Sequence, residues 1–288
     1  MGMNFYSDLG AIAQNIQDDA IFVVREMGQM QNFVTMFSDM GGGNPRVGYV
    51  YNELTAGTIG EDDDLTSSSF APSADQTLTP AEIGLQVFVS DKRAASEAPE
   101  SIITDSAREL AFAALDKIES DLVGDCASLT AGTIGTAGTA ITWGYLGAAI
   151  AQARNANKSN AKPLVAIVHA YQAAVLAKSA SIAGATSLAQ APGVTDQVTR
   201  QGITPAFQYL GVPIYQVFAD PDSGDDFTGG VFPREAIAID WRRQIRVEPE
   251  RDASRRGTEF NMSAMYAHGV WRPDRGVQMI FDASVPTS

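Results

Sequence analysis

PESIITDSARELAFAALDKIESDLVGDC, residues 99–126, keeps one helical period along its whole length. Apolar side chains recur at steps of three and four residues, at Ile103, Ala107, Leu110, Ala114, Ile118 and Leu122. Pro99 suits the first turn, where a backbone N–H would have no partner, and Glu100 and Asp105 lie near the positive end of the helix dipole. Gly124 is a suitable stop. The stretch therefore predicts a long helix with one buried stripe.

Two segments before this helix alternate apolar and polar residues as strands do, at Arg46–Leu54 and Gly84–Arg93. The segment between them is polar and acidic and has no helical period. A structureless stretch of roughly thirty residues argues against a compact domain at this point. We therefore predict an extended two-stranded arm that leaves the body and needs a partner surface. The residues before GGGNP, residues 41–45, are expected to be mainly helical.

The part after the helix mixes helices and strands without a strict β-α-β alternation, which predicts an α+β fold. Thr142 is expected to cap a helix, and Lys162–His169 and Gly211–Phe218 are expected to be strands. Two further strands are predicted within residues 234–250. The glycine-rich residues 130–139 predict a flexible turn region, because no phosphate-loop pattern is present.

NMSAMYAHGVWRPDRGVQMIFD, residues 261–282, predicts a hairpin. Val277, Met279 and Phe281 alternate after a bend in which Pro273 and Gly276 suit the turn positions. We expect this strand pair to pack its aromatic and methionine side chains against the long helix, with His268 buried or half-buried on the first strand.

Charge and cysteine content exclude several classes of protein. The formal net charge is −14, and the acidic excess lies within residues 1–150. Such a chain is a poor general binder of nucleic acid. The single cysteine, Cys126, excludes an internal disulfide and a cysteine-based metal site. No run of eighteen apolar residues is present, so no membrane span is predicted.

Few residues favour catalysis or metal binding. His169 and His268 are the two histidines, and an acidic hydrolase built on them is one hypothesis, although no G-x-S-x-G motif occurs. The carboxylates of residues 60–64 would suit calcium, but the spaced pattern of a calcium loop is missing. Adjacent carboxylates more often mark a solvated tip or a patch that meets a basic partner.

The order of these pieces resembles the major capsid protein of tailed bacteriophages, the Hong Kong 97 type fold that is also found in encapsulins. TLTPAEIGLQVFVSDKRA, residues 77–94, resembles the return strand of that family's extended loop. SARELAFAALDKIESDLV, residues 106–123, resembles its spine helix, and GVWRPDRGVQMIFDA, residues 269–283, resembles its final hairpin.

The resemblance implies a division of the chain into five parts. These are an N-terminal arm at residues 1–45, the extended loop at 46–93, a peripheral domain with the spine helix at 94–140, an axial domain at 141–240 and peripheral terminal strands at 241–288. Some members of the family cross-link through a lysine of the extended loop. This sequence has no lysine between Arg46 and Asp91, so we expect a shell held by non-covalent contacts.

The function implied is structural rather than enzymatic, with no cofactor. Copies of the chain would form hexamers and pentamers that close into an icosahedral shell around double-stranded DNA, without sequence-specific binding. Expected partners are the chain itself and separate scaffolding, portal and decoration proteins, in a virion assembled in the bacterial host cytoplasm. The alternatives are an encapsulin-type compartment with a cargo protein and the acidic hydrolase.

One contact between subunits is predicted from opposite charge. The acidic residues at the tip of the extended loop would meet the basic residues of the peripheral domain. The residues concerned are Glu61, Asp62, Asp63 and Asp64 on one side and Arg251, Arg255 and Arg256 on the other.

Overall fold

The computed structural model describes residues 29–40, 42–51, 54–58, 60–61, 64, 67–92, 99–158, 162–183, 207–218 and 225–286. Its helices are α1 (Pro99–Gly124), α2 (Trp143–Asn157) and α3 (Ala170–Ala183). Its strands are β1 (Thr35–Ser38), β2 (Arg46–Tyr51), β3 (Pro72–Leu78), β4 (Ala81–Ser90), β5 (Gly132–Gly135), β6 (Leu164–His169), β7 (Phe207–Tyr209), β8 (Val212–Val217), β9 (Asp226–Pro233), β10 (Ile237–Asp252), β11 (Gly257–Val270) and β12 (Val277–Asp282). The α+β prediction is confirmed.

The strands form two sheets and a separate ribbon. One sheet has the order β1-β10-β11-β4, and the other has the order β5-β12-β9-β6-β8-β7. The long strands β10 and β11 pair antiparallel from Ile237 opposite Val270 to Asp252 opposite Gly257. Strands β2 and β3 pair only with each other within the described residues, and we call them the arm ribbon.

The predicted long helix is confirmed, and its stripe packs on one face of the four-stranded sheet. Leu110, Ala114, Ile118 and Leu122 share one buried cluster with Phe260, Met262, Ala264 and Tyr266 of β11. The side chains of the first helical turns lie outside the described set. A single 3₁₀ turn, Asp125–Ser128, follows the helix and carries the buried Cys126.

A second core fills the six-stranded sheet and its helices. Leu146 and Ile150 of α2 are buried with Ala166 of β6 and Ile214 of β8. The predicted cap of α2 is confirmed, because Tyr145 N–H donates to Thr142 Oγ1 at 3.3 Å.

The predicted C-terminal hairpin is wrong. Strand β12 lies between β5 and β9 in the six-stranded sheet and does not pair with β11. The Ala236 carbonyl accepts from the amides of Trp271 and Arg272, and a 3₁₀ turn at Pro273–Arg275 then leads the chain out of the first sheet. The alternation in β12 is as predicted, but its buried side chains join the second core.

The arm also differs from its prediction. Its return strand is β3, which lies within the segment expected to lack structure, whereas Gly84–Ser90 belongs to β4 and pairs with β11. The sequence did not predict β3 because its residues are mostly polar. A ribbon outside the body needs no apolar face, so β3 lacks the alternation by which strands are recognised.

Three other predictions need correction. Residues 234–250 contain one long strand rather than two, and Gly132–Gly135 is a strand rather than a flexible turn. Residues 35–38 form β1 rather than a helix, and the helical structure predicted before residue 29 lies outside the described residues.

Candidate subunit interface

The arm ribbon exposes aromatic side chains. Tyr51 on β2 and Phe70 just before β3 stack nearly parallel, with ring centroids 4.8 Å apart and planes 7° apart. They are 55% and 63% exposed, and Tyr49 and Val47 on the same ribbon are exposed as well. Two-stranded ribbons are marginally stable in water, so a ribbon that exposes several large apolar side chains is a candidate contact surface.

The root of the arm is anchored by a network of charged groups. Arg46 Nε donates to the Asp240 carboxylate at 2.8 Å, and Arg242 Nη2 donates to the same oxygen at 2.8 Å. Arg242 Nη1 donates to Asp39 at 2.7 Å. Asp240 and Arg242 are buried, and the Arg46 guanidinium also lies over the Phe37 ring. The hydrogen bond to Asp240 raises the pKa of Arg46, which therefore stays charged.

Trp271 lies under the arm root rather than against the long helix. It is half-buried and packs edge-on against Phe37, in a small cluster with Leu78, Ala238 and Ala267. A side chain at Gly48 of β2 would clash with its indole ring. The expectation that this tryptophan packs on the long helix is therefore wrong, whereas Tyr266 does pack there.

An open groove of about 590 Å³ lies where β1 separates from β10. We call it the methionine groove. Its walls include Met40, Met265, Arg242, Arg243 and the backbone at Gly42 and Gly43. Arg243 pairs with Glu82, and Arg242 pairs with Asp39 and Asp240, so the charges around the groove are balanced.

The predicted basic residues lie together at the far end of the four-stranded sheet, and we call them the arginine corner. Arg251 donates to both oxygens of Asp91 at 2.6 and 2.7 Å, which lowers the pKa of that carboxyl. Arg255 pairs with Glu259 at 2.8 Å and lies over the Phe88 ring. Sequence reasoning missed the Arg251–Asp91 pair, because strand pairing brings these distant residues together, and it also missed Glu259, which lies only four residues after Arg255.

The rest of the predicted contact is not assembled within one chain. Arg256 is exposed in the turn between β10 and β11, and no ion pair to it is present within the described residues. Glu61 and Asp64 are exposed, whereas Asp62 and Asp63 lie outside the described residues. The predicted contact between subunits therefore stays a prediction.

His268 lies in a charged cluster between β11 and the end of α1. Its Nδ1 is 3.1 Å from Oδ2 of Asp125, and its Nε2 is 3.7 Å from Asp121. Tyr266 donates to Asp121 at 2.7 Å. The contact with Asp125 raises the pKa of His268, and burial raises the pKa of Asp125.

His169 lies in the other sheet, so the two histidines do not form one site. It is buried at the end of β6, where its Nδ1 accepts from Tyr171 N–H at 3.2 Å. Among the described residues, no group of three or more histidine, cysteine and acidic side chains is arranged to hold a metal ion. None of the helices in the described part has the length and apolar character of a membrane span.

Comparison with solved structures identifies the fold. A chain of the cyanophage P-SCSP1u capsid aligns with a TM-score of 0.61 and 15% identity over 88% of this chain and 87% of that chain. A chain of Mycobacterium phage Che8 aligns with a TM-score of 0.66 and 20% identity over 88% and 91%. A chain of a virus-like particle from Pyrococcus furiosus aligns with a TM-score of 0.61 and 10% identity over 92% of this chain and 98% of that chain.

The sequence alone matches no protein-family model and no curated protein. The structural likeness shows that this chain has the fold of the tailed-phage capsid proteins, as the resemblance implied. The solved structures named above come from capsids, phages and a particle rather than from enzymes.

Proposed function

We propose that this chain is the major structural subunit of a tailed-phage capsid. Copies of it assemble as hexamers and pentamers into an icosahedral shell that encloses double-stranded DNA. The observation that carries the proposal is the arm ribbon, which is anchored at its root by buried charges and exposes a stacked pair of aromatic rings at its other end. Such an arm has a role only against a second molecule.

The anchor supports a repeated contact rather than a flexible tether. A buried carboxylate that is shared by two guanidinium groups holds the ribbon in one direction relative to the body. A surface that is presented in a fixed direction allows each subunit to contact the next in the same way, as closed symmetric assemblies require.

The charge of the chain fits a container for DNA. A net charge of −14 disfavours adhesion of the packaged phosphates to the shell, because like charges repel. DNA would be held without sequence readout, and separate scaffolding, portal and decoration proteins would complete the particle.

Electron microscopy of the purified protein tests the proposal. We expect closed shells with five-fold vertices, alone or with a scaffolding protein from the same genome. A variant whose residues 52–71 are replaced by a short turn should stay folded and form no shells. An intact chain that remains a monomer under both conditions would overturn the proposal.

The particle contents decide between the two shell functions. The likeness to the Pyrococcus furiosus particle keeps an encapsulin-type compartment as the second candidate. DNA inside particles from the native source supports the capsid, and a cargo protein supports the compartment. Denaturing gels should show monomers, and a ladder of covalent multimers would contradict non-covalent assembly.

A further inference from the structure

The methionine groove has the chemistry of a site for planar apolar rings. Thioether groups make favourable contacts with aromatic edges, and a guanidinium plane stacks on an aromatic face. Met40 is 52% exposed at the groove, and Arg243 is partly exposed beside Met265. The same chain already places Arg46 over Phe37 and Arg255 over Phe88.

The balanced charge of the groove excludes a strongly charged guest. Each guanidinium group at the groove already has a carboxylate partner, in Asp39, Asp240 or Glu82. An anion would gain little net attraction there. Uncharged rings would displace water from the apolar walls without the cost of desolvating a charge.

We infer that the stacked Tyr51 and Phe70 of one subunit seat in the methionine groove of the next subunit. This inference rests on the proposed function and specifies its subunit contact. The rings of the same chain do not fill the groove, because Arg46 fixes the arm root beside it and Tyr51 is about 17 Å further along an extended strand.

Spacing along the chain agrees with a second point of contact at the arginine corner. Eight residues of β10 separate Arg243 at the groove from Arg251, a distance of about 27 Å. Ten residues separate Tyr51 from Glu61, which can span up to about 35 Å when extended. With the rings in the groove, the segment up to the acidic tip is therefore long enough to reach the neighbour's arginine corner.

The position of the groove allows the contact to close into a ring. On each subunit the groove lies beside the root of that subunit's own arm, through the Asp39–Arg242–Asp240 network. Each arm would therefore cover the root of the next arm, head to tail, and such heterologous contacts close into rings when the rotation is right.

Two methionines of similar exposure provide the first test. Met40 lines the groove and is 52% exposed, whereas Met36 on β1 is 49% exposed and does not line it. Neither side chain is in the core, so both aspartate variants should fold. We expect Met40→Asp to lower the yield of shells at least tenfold and Met36→Asp to change it less than twofold. Equal effects of the two variants would overturn the inference.

Disulfide capture provides the second test. Phe70→Cys combined with Met265→Cys should give chains of disulfide-linked subunits on non-reducing gels of assembled shells. The matched control is Phe218→Cys with Met265→Cys, because Phe218 is also highly exposed but lies beyond β8 in the other sheet. Native Cys126 does not interfere, because burial raises the pKa of its thiol far above its usual range.

The outcomes separate this inference from the proposed function. Wild-type shells with no linked chains in the Phe70–Met265 variant would overturn the groove contact and leave the capsid function standing. Absence of wild-type shells with and without scaffolding would overturn both. If the double cysteine variant does not assemble, the comparison of Met40→Asp with Met36→Asp decides.

Discussion

Arg46 Nε donates a hydrogen bond to Asp240 Oδ2 at 2.8 Å, and this contact joins the first residue of the arm ribbon to a carboxylate with no exposed surface. Arg242 binds the same oxygen from within the body. A buried carboxylate is stable only while its cations remain in place. The direction of the arm and the stability of the body are therefore coupled through one side chain.

We expect Asp240→Asn to lower the free energy of unfolding by about 3–5 kcal/mol, because it leaves the buried Arg242 without its main counter-charge. Arg46→Gln should cost less, since Arg46 is partly exposed, but it should speed proteolytic cleavage of the arm. Urea unfolding and limited proteolysis measure the two effects.

The matched control is Asp274→Asn, which breaks the exposed pair with Arg272 and should change stability by less than about 1 kcal/mol. Similar losses for Asp240→Asn and Asp274→Asn would show that the buried network does not anchor the arm.

Stability should decrease as pH rises through the titration of His268. Its neighbours in this cluster are Asp121, Asp125, Tyr266 and Lys117. The hydrogen bond with Asp125 raises its pKa above the ordinary value of 6.5, so the folded state holds the proton more tightly than the unfolded chain. This stabilisation is complete below about pH 6.5 and is lost as pH passes the folded pKa. The raised pKa of Asp125 acts in the same direction at lower pH.

Chemical unfolding at pH 6 and pH 9 measures this dependence. Asp125→Asn should reduce the difference in unfolding free energy between the two pH values, because it removes the main cause of the raised His268 pKa. Asp116→Asn, an exposed change on α1, should leave the difference unchanged. An equal slope in wild type and Asp125→Asn would rule out His268 as its source.

Local pattern was sufficient for the parts of the fold that depend on neighbours in sequence. The stripe of α1 from Leu110 to Leu122 and the cap at Thr142 follow from helical spacing and capping chemistry, and the structure contains both. The order of such elements also pointed to the capsid fold.

Sheet partners could not be predicted, because pairing joins residues that are distant in sequence. Val277–Asp282 alternates as a strand should, but alternation does not say that β5 and β9 are its neighbours. The arm anchor left one signal, since Asp240 is a single charge within the apolar run AIAIDW. Such a charge requires a partner of opposite charge, but the sequence does not identify Arg46 as one.

Gly48 and Trp271 should be coupled, because an added Cβ at Gly48 meets the indole ring. We expect Gly48→Ala to destabilise the protein by about 1–3 kcal/mol through overpacking. Trp271→Leu makes room, so the double variant should lose less than the sum of the two single changes. Urea unfolding of the four proteins measures the coupling.

Gly43→Ala is the control for that cycle, since a Cβ there meets no atom within 4 Å. It should have little effect and no coupling to Trp271→Leu. Additive losses for Gly48→Ala and Trp271→Leu would show that the arm root does not rest on the indole ring.

Charge reversal tests whether the acidic tip of one subunit pairs with the arginine corner of the next. Arg256 is the appropriate probe, because Arg251 and Arg255 already have partners in their own chain. Arg256→Glu and Asp64→Lys should each reduce the yield of shells, and the double variant should recover most of it. Each exposed pair contributes only about 0.2–1 kcal/mol, but the contact is repeated in every copy of the shell.

Raising the salt concentration should shrink the difference between the single variants and wild type, since exposed pairs are screened. A double variant that assembles no better than either single variant would show that these two residues do not meet.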